Sequence, residues 1–377
     1  MDGTPPKKTF ETALKELSDP DRAFPPASLY AFSELDRRQA GQLEAVWPGL
    51  PAERRLAFLE DLAELADSNE EVNAEAVCRV ALEDALPEVR ALAIASLWES
   101  NSFDLPGIFL TVLQHDPAAV ARAAAASALG RFVFLAEVEE LKTRQGKRIE
   151  EALLAHVRGD DELEVRRRAL EALGYSSRPE VPDLIAAAYR HPAEPMRASA
   201  LLAMGRSADE RWREPVLASL TDLNPLVRYE AVRAAGELEL PAALPGLIEA
   251  LKDGDAEVRF SAIWALGQVG GERVRRALER LREEIEDEDE IDHIQETLDD
   301  LDFFEQMEDL ILLDVAEPDD DVRTWDHASL DDDGLGDDDD GLSDDDDGNR
   351  GDDNGNRGDN DGPDDEDDEP APRSRNR

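Results

Sequence analysis

The chain has 377 residues, of which 41% are hydrophobic and only 5% aromatic, and its formal net charge is −49. Alanine and leucine supply most of the apolar surface, which favours closely packed helices over sheets, so we expect an all-α fold. So strong a negative charge repels phosphate backbones and anionic lipid surfaces, which argues against a nucleic-acid or membrane partner.

The N-terminal sequence MDGTPPKKTF lacks the apolar core of a signal peptide. No apolar run approaches the roughly 18 residues that a transmembrane helix needs. We therefore expect a cytoplasmic protein, with residues 1–26 as a flexible segment before the fold. The single cysteine, Cys78, excludes an internal disulfide, and its apolar neighbours make it a candidate core residue.

A motif of a Val-Arg-like pair followed by small residues recurs six times. The copies are PEVRALAIASLW, AVARAAAASALG, LEVRRRALEALG, EPMRASALLAMG, PLVRYEAVRAAG and AEVRFSAIWALG. Their arginines are Arg90, Arg122, Arg166, Arg197, Arg228 and Arg259, at spacings of 32, 44, 31, 31 and 31. Six positions before them stand Asp84, Asp116, Asp160, His191, Asp222 and Asp253. Glycine closes five copies, which predicts helix ends with positive φ.

A second apolar stretch separates successive copies, so each unit is predicted to be helix, short turn, helix. One such pair cannot bury its own apolar face, and neighbouring pairs must stack. The pattern resembles the HEAT repeat family, in its short bacterial phycobilisome-lyase HEAT-like (E-Z type) form, over residues 85–267. Helix pairs at 36–67 and 272–301 fit it more loosely.

The resemblance implies a right-handed α-α superhelix of about seven or eight helix pairs over residues 27–314. It also implies that the recurring aspartate caps the second helix of a unit, while the arginine bonds to the neighbouring repeat. Both expected roles are structural. His191 replaces the aspartate in one copy, which should weaken that cap.

The repeat spacing is broken once, by about 13 additional residues between Gly130 and Asp160. This segment, EVEELKTRQGKRIEE, contains the basic residues Lys142, Arg144, Lys147 and Arg148. One interpretation is a longer helix with a solvated loop. The other is a contact point for an acidic partner or for the protein's own tail.

One face of the second helix in each unit is expected to line a concave groove. We count the first residue of each Val-Arg-like pair as position 0. At 100° per residue, positions 2 and 6 then lie opposite the core positions of the helix. These positions are small in the first copies and large in the last ones. The predicted partner-binding patch consists of Leu202, Tyr229, Arg233, Phe260, Trp264 and His293. Alternatively, a terminal helix over 302–315 folds back and covers it.

Residues 315–377 form an Asp/Gly-rich tail with few apolar residues, a composition that predicts disorder. The sequence around Gly348 departs from the calcium-binding loop pattern at its first and last ligand positions, so we expect no defined metal site there. Trp325 is a candidate short motif for a partner or for the groove.

No catalytic motif was found, and we expect neither a cofactor nor a metal. Deoxyhypusine hydroxylase is a HEAT-like enzyme that uses paired His-Glu dipeptides, which this chain lacks. The sequence therefore indicates a non-enzymatic scaffold that binds a protein or peptide, preferentially a basic one, and that is monomeric. The alternative suggested by the resemblance is a phycobilin lyase-like or chromophore-chaperone subunit.

Overall fold

The structure is a computed structural model, and it describes residues 8–98, 100–159 and 162–316. Within those ranges the chain is all-α, as predicted, with 17 α-helices, four short 3-10 helices and no strand. The α-helices are α1 (Phe10–Ser18), α2 (Arg37–Val46), α3 (Ala52–Ser68), α4 (Glu75–Ala81), α5 (Pro87–Ser96), α6 (Leu105–His115), α7 (Ala119–Glu137), α8 (Thr143–Arg158), α9 (Leu163–Leu173), α10 (Val181–Tyr189), α11 (Glu194–Arg206), α12 (Arg213–Ser219), α13 (Pro225–Glu237), α14 (Leu244–Ala250), α15 (Ala256–Val269), α16 (Glu272–Glu284) and α17 (Glu288–Ala316).

From α2 onward the helices form eight consecutive pairs in two layers. Each odd-numbered helix from α5 packs on the even-numbered helix before it, and the odd-numbered helices from α3 to α17 pack on one another in chain order. The buried apolar side chains of both layers form one core cluster. This is the stacking expected of helix pairs that cannot bury their apolar faces alone.

The N-terminal segment differs from the flexible segment that the sequence suggested. Residues 10–18 form α1, and Phe10, Ala13 and Leu17 are buried. The Phe10 ring meets Phe32 edge-on at 5.5 Å between centroids. Thr9 caps the helix by accepting a hydrogen bond from the Thr12 backbone. This short amphipathic helix was not predicted from the sequence, because the residues on either side of it are charged and rich in proline.

The repeat glycines do not adopt positive φ, so that prediction was wrong. Among the described glycines only Gly270 and Gly271 do so. The repeat glycines instead allow consecutive odd-numbered helices to approach closely. A Cβ added to Gly236 would lie 2.9 Å from the Ala265 Cα, and one added to Gly174 would lie 2.9 Å from the Ala203 Cα. Real Cβ atoms almost never come so close, so glycine is required by packing.

The inserted segment extends two helices. Helix α7 continues past Gly130 to Glu137, and α8 begins at Thr143. Gly146 lets these extensions touch, because an added Cβ would lie 2.6 Å from the Ala136 Cβ. The basic side chains of this segment are exposed: Lys142, Arg144, Lys147 and Arg148. The backbone of the inserted segment therefore follows the first interpretation, a longer helix with a short loop, and a contact with an acidic partner stays a prediction.

Helix α7 is the one described helix that is long and apolar enough to cross a membrane by length and composition. Half of its apolar window is buried inside the fold, where it packs on α5, α6 and α9. The predicted disordered tail, with Trp325 and the sequence around Gly348, lies outside the described residues.

Candidate functional site: a groove lined by the odd-numbered helices

Arginine–carboxylate pairs connect successive repeats. Arg90 contacts Asp116 at 2.6 Å, and Arg228 contacts Asp253 through two hydrogen bonds of 2.7 Å each. Arg197 lies 3.8 Å from Asp222. The same arginines bind backwards to their own repeat, since Arg228 Nη1 also donates to the Asp222 carbonyl. The guanidinium of Arg228 holds the pKa of Asp253 below its ordinary value.

The series of pairs is longer than the six motifs indicated. Arg55 pairs with Asp84 at 2.6 Å, and Trp47 Nε1 donates to the same carboxylate. At the other end, Arg259 pairs with Glu290 at 2.6 Å. Arg122 donates to the Asp116 carbonyl at 2.8 Å, while Asp160 lies outside the described residues.

The recurring aspartates stabilise turns ahead of the helices. Asp116 Oδ1 accepts from the Ala118 backbone, and Asp253 Oδ1 accepts from Asp255, which is the residue that caps α15. Contrary to the expectation, the recurring aspartate therefore does not cap the helix itself, and the N-cap position lies two residues after it. His191 retains this turn, because its Nδ1 accepts from the Ala193 backbone at 3.1 Å. It supplies no carboxylate, and Arg166 Nε is buried without a hydrogen-bond partner in the described part of the chain.

The predicted aromatic patch is largely part of the packing. Leu202 is only 6% exposed, and Trp264 and Tyr229 are half-buried against the core. A Cβ on Gly236 would lie 2.7 Å from Trp264 Cζ3, so this indole packs over the preceding repeat. Arg233 is paired with Glu237 at 3.0 Å.

At the end of this patch, Phe260 contacts α17. Its ring lies 5.7 Å from that of His293. The predicted separate helix over 302–315 is instead the second half of α17, which contains neither glycine nor proline to interrupt it. Thr297, four residues after His293 on α17, is buried beside Gly267.

The structure places an open cavity elsewhere, at the copies whose groove positions are small. A cavity of about 670 Å³ lies over α5, α7 and α9 and is lined mainly by apolar surface. Its floor contains Ala91, Ala95, Ala123, Ala124 and Ser127. We call it the alanine cavity. Short side chains on adjacent helices leave this space unfilled.

Aromatic side chains form the rim of the alanine cavity. Trp98 is 53% exposed and Phe134 is 46% exposed. Phe134 meets Tyr175 edge-on, with centroids 5.5 Å apart, and the Arg206 guanidinium lies 4.9 Å from the Tyr175 ring centre. Exposed aromatics around a concave apolar surface are typical of a binding site.

The segment that carries Trp98 is held by Arg131. Its Nη1 donates to the carbonyl of Trp98 at 2.8 Å and to that of Ser100 at 3.1 Å, and its Nη2 donates to Asn101. These bonds connect the backbone of Trp98 and the residues that follow it to α7. The rim is thus organised before any ligand arrives, which lowers the entropy cost of binding.

The other charged groups at the cavity belong to an internal network. Arg168 pairs with Glu164 and Glu171, and Arg206 donates to the Glu171 carbonyl. Farther along the same face, burial raises the pKa of Glu230 to about 7. One Glu230 oxygen is buried without a hydrogen-bond partner in the described residues.

A second cavity, of about 860 Å³, adjoins the first and shares Ala95 and Trp98 with it. We call it the acidic cavity, because Asp67, Glu70 and Glu75 line it. Although burial opposes ionisation, hydrogen bonds from Ser102, Arg79 and Ser100 keep the pKa of Glu75 below its ordinary value. Over the described ranges, no cluster of three or more His, Cys, Asp or Glu side chains could hold a metal ion.

Comparison with known families identifies the repeats. The family model for HEAT repeats matches residues 150–223 and 213–299. The matched part begins at the end of the inserted segment, although the helix pairs begin earlier. A search of curated proteins finds no match.

Several solved structures are similar in fold. The complex of CpcE and CpcF of phycocyanin lyase from Nostoc sp. PCC7120 is 15% identical, with a TM-score of 0.46, over 80% of this chain and 99% of that one. Human deoxyhypusine hydroxylase is 20% identical, with a TM-score of 0.32, over 69% and 95% of the two chains. Importin beta is 14% identical, with a TM-score of 0.40, over 78% of this chain and 46% of its own.

Proposed function

We propose that this chain, a HEAT repeat protein, is a non-enzymatic scaffold that binds a protein or peptide in the groove formed by its odd-numbered helices. The alanine cavity, with exposed Trp98 and Phe134 on its rim, is the observation that carries the proposal. In the described part of the chain, the charged side chains around it (Arg131, Glu164, Arg168 and Arg206) are engaged in structural bonds and pairs. A cytoplasmic location and a monomeric state, both expected from the sequence, belong to the same proposal.

The magnitude of the contact indicates what the partner must supply. Covering the exposed halves of two aromatic side chains buries about 200 Å², worth about 5 kcal/mol at 25 cal/mol per Å². Association itself costs an estimated 4–15 kcal/mol. The rim therefore acts as an anchor, and a partner must also contact the neighbouring groove.

Affinity capture with a matched pair of variants tests this proposal. Trp98→Ala removes one aromatic of the rim, while Phe103→Ala removes an aromatic of the same loop that is 92% exposed and lines neither cavity. We expect a specific partner, identified by mass spectrometry, to be retained by Phe103→Ala and lost with Trp98→Ala. Equal retention by both variants, with circular dichroism unchanged, would refute the groove model.

The predicted patch remains a competing location. A variant with Tyr229, Phe260 and Trp264 changed to alanine should retain the partner if binding occurs at the alanine cavity. Loss of capture with this variant alone, without loss of helical signal, would move the site to the C-terminal repeats.

A chromophore-chaperone or lyase-like role is the second candidate, favoured by the size and apolar lining of the alanine cavity. A volume of about 670 Å³ lies in the range typical of small-molecule sites. Co-expression with an open-chain tetrapyrrole should then give a purified protein with a visible absorbance band that Ser127→Leu abolishes. A colourless protein would exclude this role.

A further inference from the structure

We propose that the groove recognises a segment that combines one apolar anchor residue with adjacent lysine or arginine residues. The anchor occupies the alanine cavity, and the basic residues extend into the acidic cavity beside Asp67 and Glu70. This inference rests on the proposed function and specifies the chemistry of its partner.

The shapes of the two cavities support a single ligand. Ala95 and Trp98 line both, so the indole stands between two adjoining depressions. One is bounded by α5, α7 and α9, and the other by the end of α3, the loop after it and α5. A peptide that covers Trp98 therefore contacts both cavities.

The carboxylates of the acidic cavity differ in whether they are already paired within the protein. Glu75 is bound by Arg79 at 2.8 Å and by Ser100 and Ser102. Asp67 and Glu70 are exposed, and neither forms an ion pair with any described residue. No lysine or arginine lines this cavity in the described residues. Two negative charges are thus left for a ligand.

The end of helix α3 reinforces the negative potential. Asp67 lies in its last turn, since the helix ends at Ser68. Unpaired carbonyls at a helix C-terminus carry partial negative charge, which disfavours an aspartate and favours a cation. A lysine or arginine of a partner can pair with Asp67 and donate to the carbonyls at the end of α3.

The alanine cavity, unlike the acidic cavity, disfavours a cation. Its Glu164 is paired with Arg167 and Arg168, while Arg131 donates only to carbonyl and amide oxygens among the described residues. A cation there meets a guanidinium that no carboxylate of the described residues pairs with. The basic residues of a bound segment are therefore directed toward α3, and the apolar anchor toward α7.

Selection from a random twelve-residue peptide library on the immobilised full-length protein provides the test. Counter-selection on Trp98→Ala removes peptides that bind elsewhere, including those attracted by the acidic tail, which both proteins share. Ser127→Leu fills the alanine cavity from an exposed position and serves as a second variant if Trp98→Ala perturbs the fold. We expect the enriched peptides to combine an aromatic or large aliphatic residue with neighbouring lysine or arginine.

The affinity of the best peptide is then measured by fluorescence polarisation. Asp67→Asn with Glu70→Gln should weaken binding about tenfold and flatten its salt dependence. Glu279→Gln with Glu284→Gln changes the net charge equally at exposed positions on α16 and should have no effect. Equal effects of the two pairs, or enrichment of peptides without basic residues, would overturn this inference and leave the scaffold proposal standing. Failure to obtain any peptide sensitive to Trp98→Ala or Ser127→Leu would overturn both.

Discussion

The guanidinium of Arg228 forms a bidentate pair with the carboxylate of Asp253, 25 residues later, with Nε–Oδ2 and Nη2–Oδ1 distances of 2.7 Å. Its remaining nitrogen, Nη1, donates to the Asp222 carbonyl at 2.8 Å. One arginine thus connects two turns of consecutive repeats. The geometry recurs with Arg90 and Asp116, which makes it a regular element of the stack.

Asp253→Asn tests the energetic value of this pair. Asparagine retains an oxygen for the Asp255 backbone but loses the charge, so we expect a loss of about 2 kcal/mol in the free energy of unfolding at pH 7. Because the pKa of Asp253 is lowered in the folded state, its contribution is present above the ordinary carboxyl range and is lost as the pH falls through the lowered value. Urea denaturation at pH 7 and pH 3 measures this. Asp300→Asn, at an exposed position, should have little effect.

His191→Asp should restore the missing pair. The turn has the same hydrogen bond as in other repeats, because His191 accepts from the Ala193 backbone. Arg166 Nε is buried without a hydrogen-bond partner in the described residues. We expect a gain of about 1 kcal/mol at pH 7, measured by denaturant unfolding. In an Arg166→Met background the same change should give no gain. A gain of equal size there would show that Arg166 is not the partner.

Gly236→Ala separates close packing from helix propensity. Alanine is normally preferred in a helix by about 1 kcal/mol, but here its Cβ would collide with Ala265, so we expect destabilisation by about 1–3 kcal/mol. Gly41→Ala, inside α2 with no atom within 4 Å, should instead stabilise the protein. Thermal unfolding compares them. Stabilisation by both substitutions would contradict the packing explanation.

Glu230→Gln should raise stability at pH 8 but not at pH 4.5. Burial raises the pKa of this carboxyl from 4.5 to about 7, so the folded state retains a proton that the unfolded state releases. Stability is therefore lost as the pH rises from about 4.5 to 7, by up to about 3 kcal/mol, and glutamine avoids this loss. Denaturation curves across this range, with exposed Glu279→Gln as control, provide the measurement. Parallel pH profiles for wild type and Glu230→Gln would contradict it.

Cys78 should resist modification in the folded protein. Its side chain is buried, and burial raises the pKa of the thiol to about 12, so thiolate is scarce near neutral pH. We expect a disulfide reagent to react with it only after addition of denaturant. Rapid reaction of the native protein would indicate local opening of α4.

The repeat architecture could be predicted because its determinants recur at fixed spacing. The interval of 31 residues between Arg228 and Arg259 identified the stacked unit, and the resemblance to HEAT repeats implied that the arginine bonds to the neighbouring repeat. The role of Gly236 was predicted incorrectly, because a glycine near a helix end is consistent with either positive φ or close packing. The backbone φ and the distance to Ala265 distinguish them.

The location of the alanine cavity could not be predicted by searching for large side chains. Trp264 and Leu202 fill the space that their helices enclose, whereas Ala95 and Ala123 leave space open. One signal was present in the sequence: Trp98 occupies the motif position that glycine holds in the other five copies. Since α5 ends at Ser96, this indole lies beyond the helix and can project into the groove.

The most direct test of the groove is fluorine NMR on protein labelled with 5-fluorotryptophan. The chain contains five tryptophans, at positions 47, 98, 212, 264 and 325, and single Trp→Phe variants assign their resonances. Titration with the selected peptide or the captured partner should shift the Trp98 resonance and leave those of Trp212 and Trp264 in place. A shift of the Trp264 resonance with Trp98 unchanged would contradict the assignment of the alanine cavity as the binding site.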